Sequence, residues 1–446
     1  MDAPAIQIVV FVPHPGLPAL LTTADGALPT TTSPTSSTVE QLDAVAARLG
    51  SLPPVLRIVL GAGDAPEDAI PRLVVVEAIG PKAPTGLTWT DSATLDITTA
   101  APPELRGVVS RAIARHRDGP GPRDVPWSQP GWFGRASAWM TARMADLGYP
   151  ATGRPRVAYL WGISMVLRAE SAAGPMFLKC SAPVFRHEAA VTGLLAETTP
   201  ELATRVAAVE PDEGWLLMYD HGDAVLGERP QDAWTVGLES LPRIQKAWTA
   251  RTGELARAGA PVRSILELAE IVPTFATRDA LASRLSADDR RAWDAAIPDL
   301  VAACHRLDAL GPPPTLVHGD FHPWNVADAP AGPRIFDWTD AAISHPFTDL
   351  AVYTTRADEV ATRRAMRDAY LAHWSDQLES AALAEAGELA IVVGTLHQVD
   401  SYLRLVESLD PDDLWDLAPA VGSWAMAAVA TLTEGIALVR PGHADG

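Results

Sequence analysis

His318-Gly319-Asp320-Phe321-His322-Pro323-Trp324-Asn325 is followed a short way downstream by Ile335-Phe336-Asp337-Trp338. Two carboxylates and an amide, Asp320, Asn325 and Asp337, therefore fall on two neighbouring turns. Phosphoryl transfer needs such a set. One carboxylate orients an attacking hydroxyl and accepts its proton, while an amide oxygen and a second carboxylate hold a divalent cation against phosphates. The apolar pair Ile335-Phe336 predicts a short strand that delivers Asp337 from its end.

The spacing from Asp320 to Asn325 is that of a kinase catalytic loop, in which Asp is followed by four residues and then Asn. His-Gly-Asp-Phe-His-x-x-Asn followed by Asp-Trp resembles the aminoglycoside phosphotransferase and choline kinase family, whose fold is similar to that of protein kinases. The resemblance takes in residues 151–446. It implies Asp320 as catalytic base, His318 as the residue that orients the loop, and Asn325 and Asp337 as Mg²⁺ ligands. ATP is the implied donor, and a small hydroxylated molecule the acceptor. A second, structural Asp of the family falls on Asp349 in Thr348-Asp349-Leu350-Ala351.

The nucleotide side is read from Met176-Phe177-Leu178-Lys179-Cys180, an apolar strand carrying one of only three lysines in the chain. A charge on such a strand is costly unless paired. In the resembling fold a strand Lys holds the α- and β-phosphates and pairs with a helix Glu, here Glu188. Trp161-Gly162-Ile163-Ser164 stands where a Gly-rich loop is expected. Gly162 and Ser164 are open between a hairpin turn and a phosphate contact. Leu216-Leu217-Met218-Tyr219 resembles the hinge between lobes, with main-chain groups near Met218 and Tyr219 meeting adenine.

On the acceptor side, Asp340 follows Asp337 closely and is open between a place in the cleft and a cap on the next segment. His397, Asp400, Ser401, Arg404 and Glu407 recur at helical spacing opposite an apolar stripe, which describes a solvated face equally well. Asp340, Asp400 and Glu407 are the candidates to meet amino or hydroxyl groups of an amino sugar or aminoglycoside. Choline, homoserine or maltose-like acceptors, and a nucleotide-binding pseudokinase, are the alternatives.

Over 446 residues, 48% hydrophobic and 20% charged, two or three globular domains are expected. The net charge of −20 argues against nucleic acid as a partner and favours cationic or sugar-like acceptors. Cys180 and Cys304 lie outside any metal-ligand spacing, and a cytoplasmic location is expected. The uncharged run Leu417–Leu432 is short for a membrane span and reads as a core helix.

The expected fold class is α+β. A bilobal kinase-like part has a β-rich small lobe over 151–224 and a helical large lobe over 225–446. Ahead of it come an α/β domain over 1–115 and a linker with an amphipathic helix over 116–150. In 1–115 the apolar runs Ile6–Val12, Ala19–Thr22, Val55–Leu60 and Arg72–Val76 predict strands, Thr38–Leu49 and Pro103–Arg115 predict helices, and their order resembles a Nudix domain. Its helix Leu42-Asp43-Ala44-Val45-Ala46-Ala47-Arg48-Leu49 lacks the paired Glu of that metal box, so a non-catalytic cap, interaction or regulatory unit is expected.

Overall fold

The apolar runs near the start of the chain form strands, as their patterning predicts. A four-stranded sheet has the order Thr30–Ser33, Ile6–Phe11, Arg72–Val76, Val55–Leu60. Ile6–Phe11 runs parallel to Arg72–Val76, and the outer pairs are antiparallel. A parallel neighbour needs a crossover, and the helix Thr38–Leu49 falls within that connection, burying Leu42, Val45 and Leu49. The edge strand Thr30–Ser33 was not expected. Thr-Thr-Thr-Ser carries no apolar alternation, and pairing on one side only is enough to hold it.

The computed structural model describes residues 5–51, 54–61, 70–78, 80–222, 224–414 and 417–437. Two compact units result: Met1–Pro183 with Leu409–Trp415, and Val184–Ser408 with Asp416–Gly446. No boundary drawn from the sequence separates Leu409–Trp415 from its neighbours.

In the first unit the helix expected from Pro103 begins as a tight turn and continues as Arg106–Asp118, ending at Gly119. Trp132–Asp146 forms the amphipathic helix, with Trp132, Phe133, Met140 and Met144 buried and Trp139 half-buried. Arg156–Leu160, Ser164–Ser171 and Gly174–Ser181 follow as an antiparallel ladder.

Residues 409–414 are held in this unit by arginines. Arg57 is buried in the strand Val55–Leu60 and reaches Asp124 at 3.1 Å and Asp413 at 2.7 Å. Arg115 bonds Asp410 at 2.6 Å and pairs with Asp124 at 3.1 Å, and Arg111 grips Asp412 through two nitrogens. Asp124 also accepts Gly121 N–H at 2.8 Å. The Gly/Pro stretch read as a linker is therefore anchored at its end.

The second unit is mainly helical. Its core runs from Val191 through Trp248, Trp293 and Phe347 to Trp424. The helix Ala287–Leu310 starts with a capping box between Ser286 and Asp289. Ala420–Ala437 is long and apolar enough, by length and composition, to cross a membrane, and half of it is buried. Its Val421, Trp424, Ala425 and Ala428 join the core of this unit.

The arginine contacts differ in depth, and their removal should differ accordingly. Arg57, Asp124 and Asp413 side chains are 4%, 1% and 3% exposed, whereas Arg111 is 57% exposed. Arg57→Leu takes the paired cation from the buried Asp413 and leaves Asp124 to Arg115 alone, and is expected to destabilise the first unit by about 3–5 kcal/mol. Arg111→Ala is expected to cost about 1 kcal/mol or less. Urea unfolding of the two variants checks this, and equal losses would contradict it.

Candidate active site

Every group of the predicted catalytic set lies in the second unit. The strand Thr315–Val317 pairs antiparallel with Ala342–Ser344, Val317 opposite Ala342. This ladder brackets the chain between His318 and Ala341 into one closed loop. Inside it, Pro323–Asn325 forms a tight turn leading into the hairpin Val326–Ala329 and Gly332–Ile335. Val326 stands opposite Ile335, and Phe336 N–H donates to Asn325 O at 3.0 Å. Hairpin register thus brings Asn325 beside the segment that carries Asp337. The strand expected ahead of Asp337 is the second arm of this hairpin.

Asn325 Nδ2 donates to Asp320 O at 3.0 Å, which leaves its amide oxygen for another partner. Asp337 is the only non-glycine among the described residues with positive φ, at 62°. This region is strained for a side chain and tends to occur at functional sites. Thr339 Oγ1 donates to Asp337 Oδ1. His318 Nε2 donates to Phe336 O at 3.0 Å, and its ring lies against Trp338 and Phe321. Burial holds the His318 pKa down at about 4, so the ring is neutral at pH 7.

The loop is fixed from beneath by Asp349. Its Oδ2 accepts His318 N–H at 3.0 Å, and its Oδ1 accepts Gly319 N–H at 2.8 Å. Gln245 Nε2 donates to the same carboxylate at 3.0 Å. Burial pushes Asp349 up to about 7, against the opposing pull of these donors. Gly319 cannot be replaced by a larger residue. Its φ is +83°, and a Cβ would stand 2.2 Å from Asp340 O.

Asp320 itself is open, its side chain 41% exposed, with His322 Nε2 at 3.5 Å. Desolvation by the surrounding protein works upward on its pKa. His322, Arg356 and His318 outweigh it and hold the carboxyl at about 2. Arg356 lies 5.6 Å from the Trp324 ring, so the cation rests on the catalytic loop. Asp340 moves the other way, to about 6, first through burial and then through the Asp320 charge.

Among the nucleotide candidates of this unit, Met218 and Tyr219 end the strand Trp215–Tyr219 and are half-buried. Tyr219 N–H bonds Arg205 O at 3.0 Å, and Val206 pairs with Met218. His221, just beyond, stacks on Phe336 at 4.7 Å, so this segment touches the residue before Asp337. Glu188 is buried in the first turn of the helix His187–Thr198. In the first unit, Lys179 is buried on its strand. Gly162 and Ser164 belong to a hairpin closed by Trp161 N–H to Ser164 O at 2.8 Å. A Cβ on Gly162 would meet Asp413 O at 1.7 Å, so close main-chain packing by itself requires glycine there.

The acidic candidates on the helix Ser380–Ser408 are taken up by arginines. Asp400 is buried and accepts from Arg263 and Arg404, and Glu407 is paired with Arg278. Asp340 receives Ser401 Oγ–H at 2.7 Å, and it packs against Gly319, the residue before Asp320. Gln245, Arg263, Arg356 and Gln398 escaped the sequence reading, because single polar residues on helices and loops carry no spacing signal.

The donor set suits a hard cation. Among the described residues no three or more His, Cys, Asp or Glu are grouped so as to hold a metal ion by themselves. Mg²⁺ needs only one or two protein oxygens when phosphates and water complete its shell. Asp337 and the Asn325 amide oxygen fit that requirement.

These parts define a small-molecule phosphotransferase. Residues 164–389 match the model of the phosphotransferase enzyme family (APH), and the chain belongs to that family, with its mixed α+β, kinase-like fold. No curated protein matches the chain. It is similar to the solved structure of a macrolide 2′-phosphotransferase from Brachybacterium faecium, at 20% identity and TM-score 0.43, covering 66% of this chain and 98% of that one. A choline/ethanolamine kinase family protein from Mesorhizobium loti is similar at 16% identity and TM-score 0.47, covering 68% and 98%. For an ethanolamine kinase from Plasmodium vivax the figures are 10%, 0.44, 62% and 82%.

The buried histidines set an acid limit on stability. Burial holds His345 at about 3 and His318 at about 4, against 6.5 for a free ring. Between about pH 6.5 and 4 these two rings bind more protons in the unfolded chain than in the folded one, so the stability they contribute falls as pH drops. Each ring is expected to contribute a slope of up to about 1.4 kcal/mol per pH unit in that window. Urea midpoints measured across it should show a flatter acid limb for His345→Gln. An unchanged limb would mean that His345 is not held neutral.

Proposed function

We propose that this chain is a MgATP-dependent kinase acting on a hydroxyl of an amino sugar or an aminoglycoside. The observation that carries the reading is one loop that holds an open carboxylate, Asp320, beside the Asn325 and Asp337 oxygens on a buried Asp349 support. Asp320 orients the acceptor hydroxyl and takes its proton. With a pKa of about 2 it is a weak base, which suits a loose transition state in which positioning and charge neutralisation dominate. Magnesium held by Asn325 Oδ1 and Asp337 would supply neutralisation of phosphate charge. Lys179 and Glu188 are the proposed charges on the phosphate side, Gly162 and Ser164 the proposed turn there, and Met218 and Tyr219 the proposed adenine contacts.

The acceptor preference rests on Asp340. It adds a second carboxylate to the loop, packed against Gly319 beside Asp320 in the chain, and a pair of carboxylates suits an ammonium or several hydroxyls. ADP release is to be measured with MgATP across glucosamine, aminoglycosides, maltose, choline and homoserine, with Asp320→Ala as the blank. The expected result is turnover on an amino sugar or aminoglycoside, reduced about 10²-fold or more in the blank. Asp337→Asn is expected to abolish Mg-dependent ATP affinity. Turnover equal in wild type and blank would overturn the catalytic assignment, and a hit on choline alone would overturn the acceptor class.

A further inference from the structure

Asp340 is tied to the catalytic loop by packing as well as by chain connectivity, since its main chain fills the space beside Gly319. Its carboxylate is reached by Ser401 Oγ–H at 2.7 Å, from the helix Ser380–Ser408. One turn earlier on that helix, Gln398 Nε2 donates to Gly319 O at 2.5 Å. The helix therefore grips both sides of the Gly319–Asp340 contact.

Ser401 is itself held by a residue outside every recognised motif. Arg263 Nη1 donates to Ser401 Oγ at 3.0 Å, and its Nη2 donates to Asp400 Oδ2 and His397 O, both at 2.9 Å. Arg404 Nε also donates to Asp400 Oδ2 at 2.8 Å, and Arg278 lies 4.0 Å from the other oxygen. The Arg263 main chain faces the opposite way, toward the strand that leaves Asp340. Arg263 N–H bonds Ile343 O at 2.9 Å, and Ser344 Oγ donates to Arg263 O at 2.7 Å. One buried residue thus holds the strand after Asp340 with its backbone and the hydrogen-bond donor of Asp340 with its side chain. Burying a guanidinium is costly, and a core needing only volume at this place would be served by an apolar residue.

We propose that Arg263 is a positioning residue for acceptor recognition, which acts through Ser401 to fix the Asp340 carboxylate beside Asp320. The inference rests on the phosphotransfer reading given above and extends it to a residue that touches neither acceptor nor nucleotide. Loss of the guanidinium leaves Ser401 Oγ free to turn and the Asp340 carboxylate free to leave the acceptor side. The groups that hold Mg²⁺ in that reading, Asn325 and Asp337, keep their own hairpin contacts.

The test uses the full chain with Arg263→Met, Arg263→Lys, Ser401→Ala and the double variant Arg263→Met/Ser401→Ala. MgADP affinity is measured by calorimetry, and acceptor KM and kcat on whichever compound of the panel turns over best. Amide hydrogen exchange is followed over 319–321 and 340–342. Arg263→Met is expected to keep MgADP affinity within about twofold, to raise acceptor KM about tenfold or more, and to speed exchange in those two segments selectively. Ser401→Ala should reproduce this, and the double variant should be no worse than Arg263→Met alone, because both act through one chain of contacts. Arg263→Lys should recover part of the acceptor KM. A uniform rise in exchange with parallel losses of MgADP affinity and melting temperature would overturn the proposal, as would additive effects in the double variant. If no panel compound turns over in wild type while exchange still responds selectively, the positioning role stands and the proposed acceptor class fails.

Discussion

The catalytic loop depends on one buried carboxylate. Where the strand Thr315–Val317 ends, His318 and Gly319 turn two consecutive N–H groups inward with no ladder partner to receive them. Unpaired buried amides are costly, and Asp349 accepts both. Asp349 is supported in turn. Gln245 donates to it and to Pro346 O, and Tyr370 O–H lies 2.6 Å from Gln245 Oε1 and 2.8 Å from Pro346 O. The consequence is geometric: His318 can reach Phe336 O, and Asp320 emerges into the open, only if the two residues before it are pinned.

Two unusual backbone conformations follow from that pinning. Gly319 at φ +83° lets the loop lie on Asp340 with no side chain between them. Asp337 at φ 62° holds a conformation that costs about 1–3 kcal/mol for a non-glycine residue. It is kept there by the hairpin before it and the Ala342–Ser344 ladder after it. Strain at a proposed ligand position, enforced by regular structure on both sides, fixes where the carboxylate points without depending on the cation it is proposed to hold.

Much of this was legible in the sequence, for reasons that differ by element. Asp320, Asn325 and Asp337 were visible because the loop is a local motif in which spacing along the chain maps directly onto spacing in the turn. The strands Ile6–Phe11 and Val55–Leu60 and the helix Thr38–Leu49 announced themselves by apolar periodicity. Thr30–Ser33 did not, because a polar edge strand has no periodicity to detect. Asp410, Asp412 and Asp413 lie in one tight turn, yet their partners Arg57, Arg111 and Arg115 lie some three hundred positions away in the chain. Nothing in a single sequence signals such pairing. Arg263 was illegible for the same reason.

The long helix shows why a net charge is a poor guide to a site. The chain carries −20 overall, and Asp400 and Glu407 lie on one helical face, which invited an acceptor role for both. Their charges are already balanced locally: Asp400 by Arg263 and Arg404, Glu407 by Arg278. A balanced pair projects little field beyond its own contacts. In the proposed reading, attraction for a cationic acceptor then comes from the carboxylates on the loop, Asp320 and Asp340, the charge of the first raising the pKa of the second. The acidic helix contributes to that pair by holding an arginine in place, so its carboxylates act on geometry at a distance and leave the field at the loop to Asp320 and Asp340.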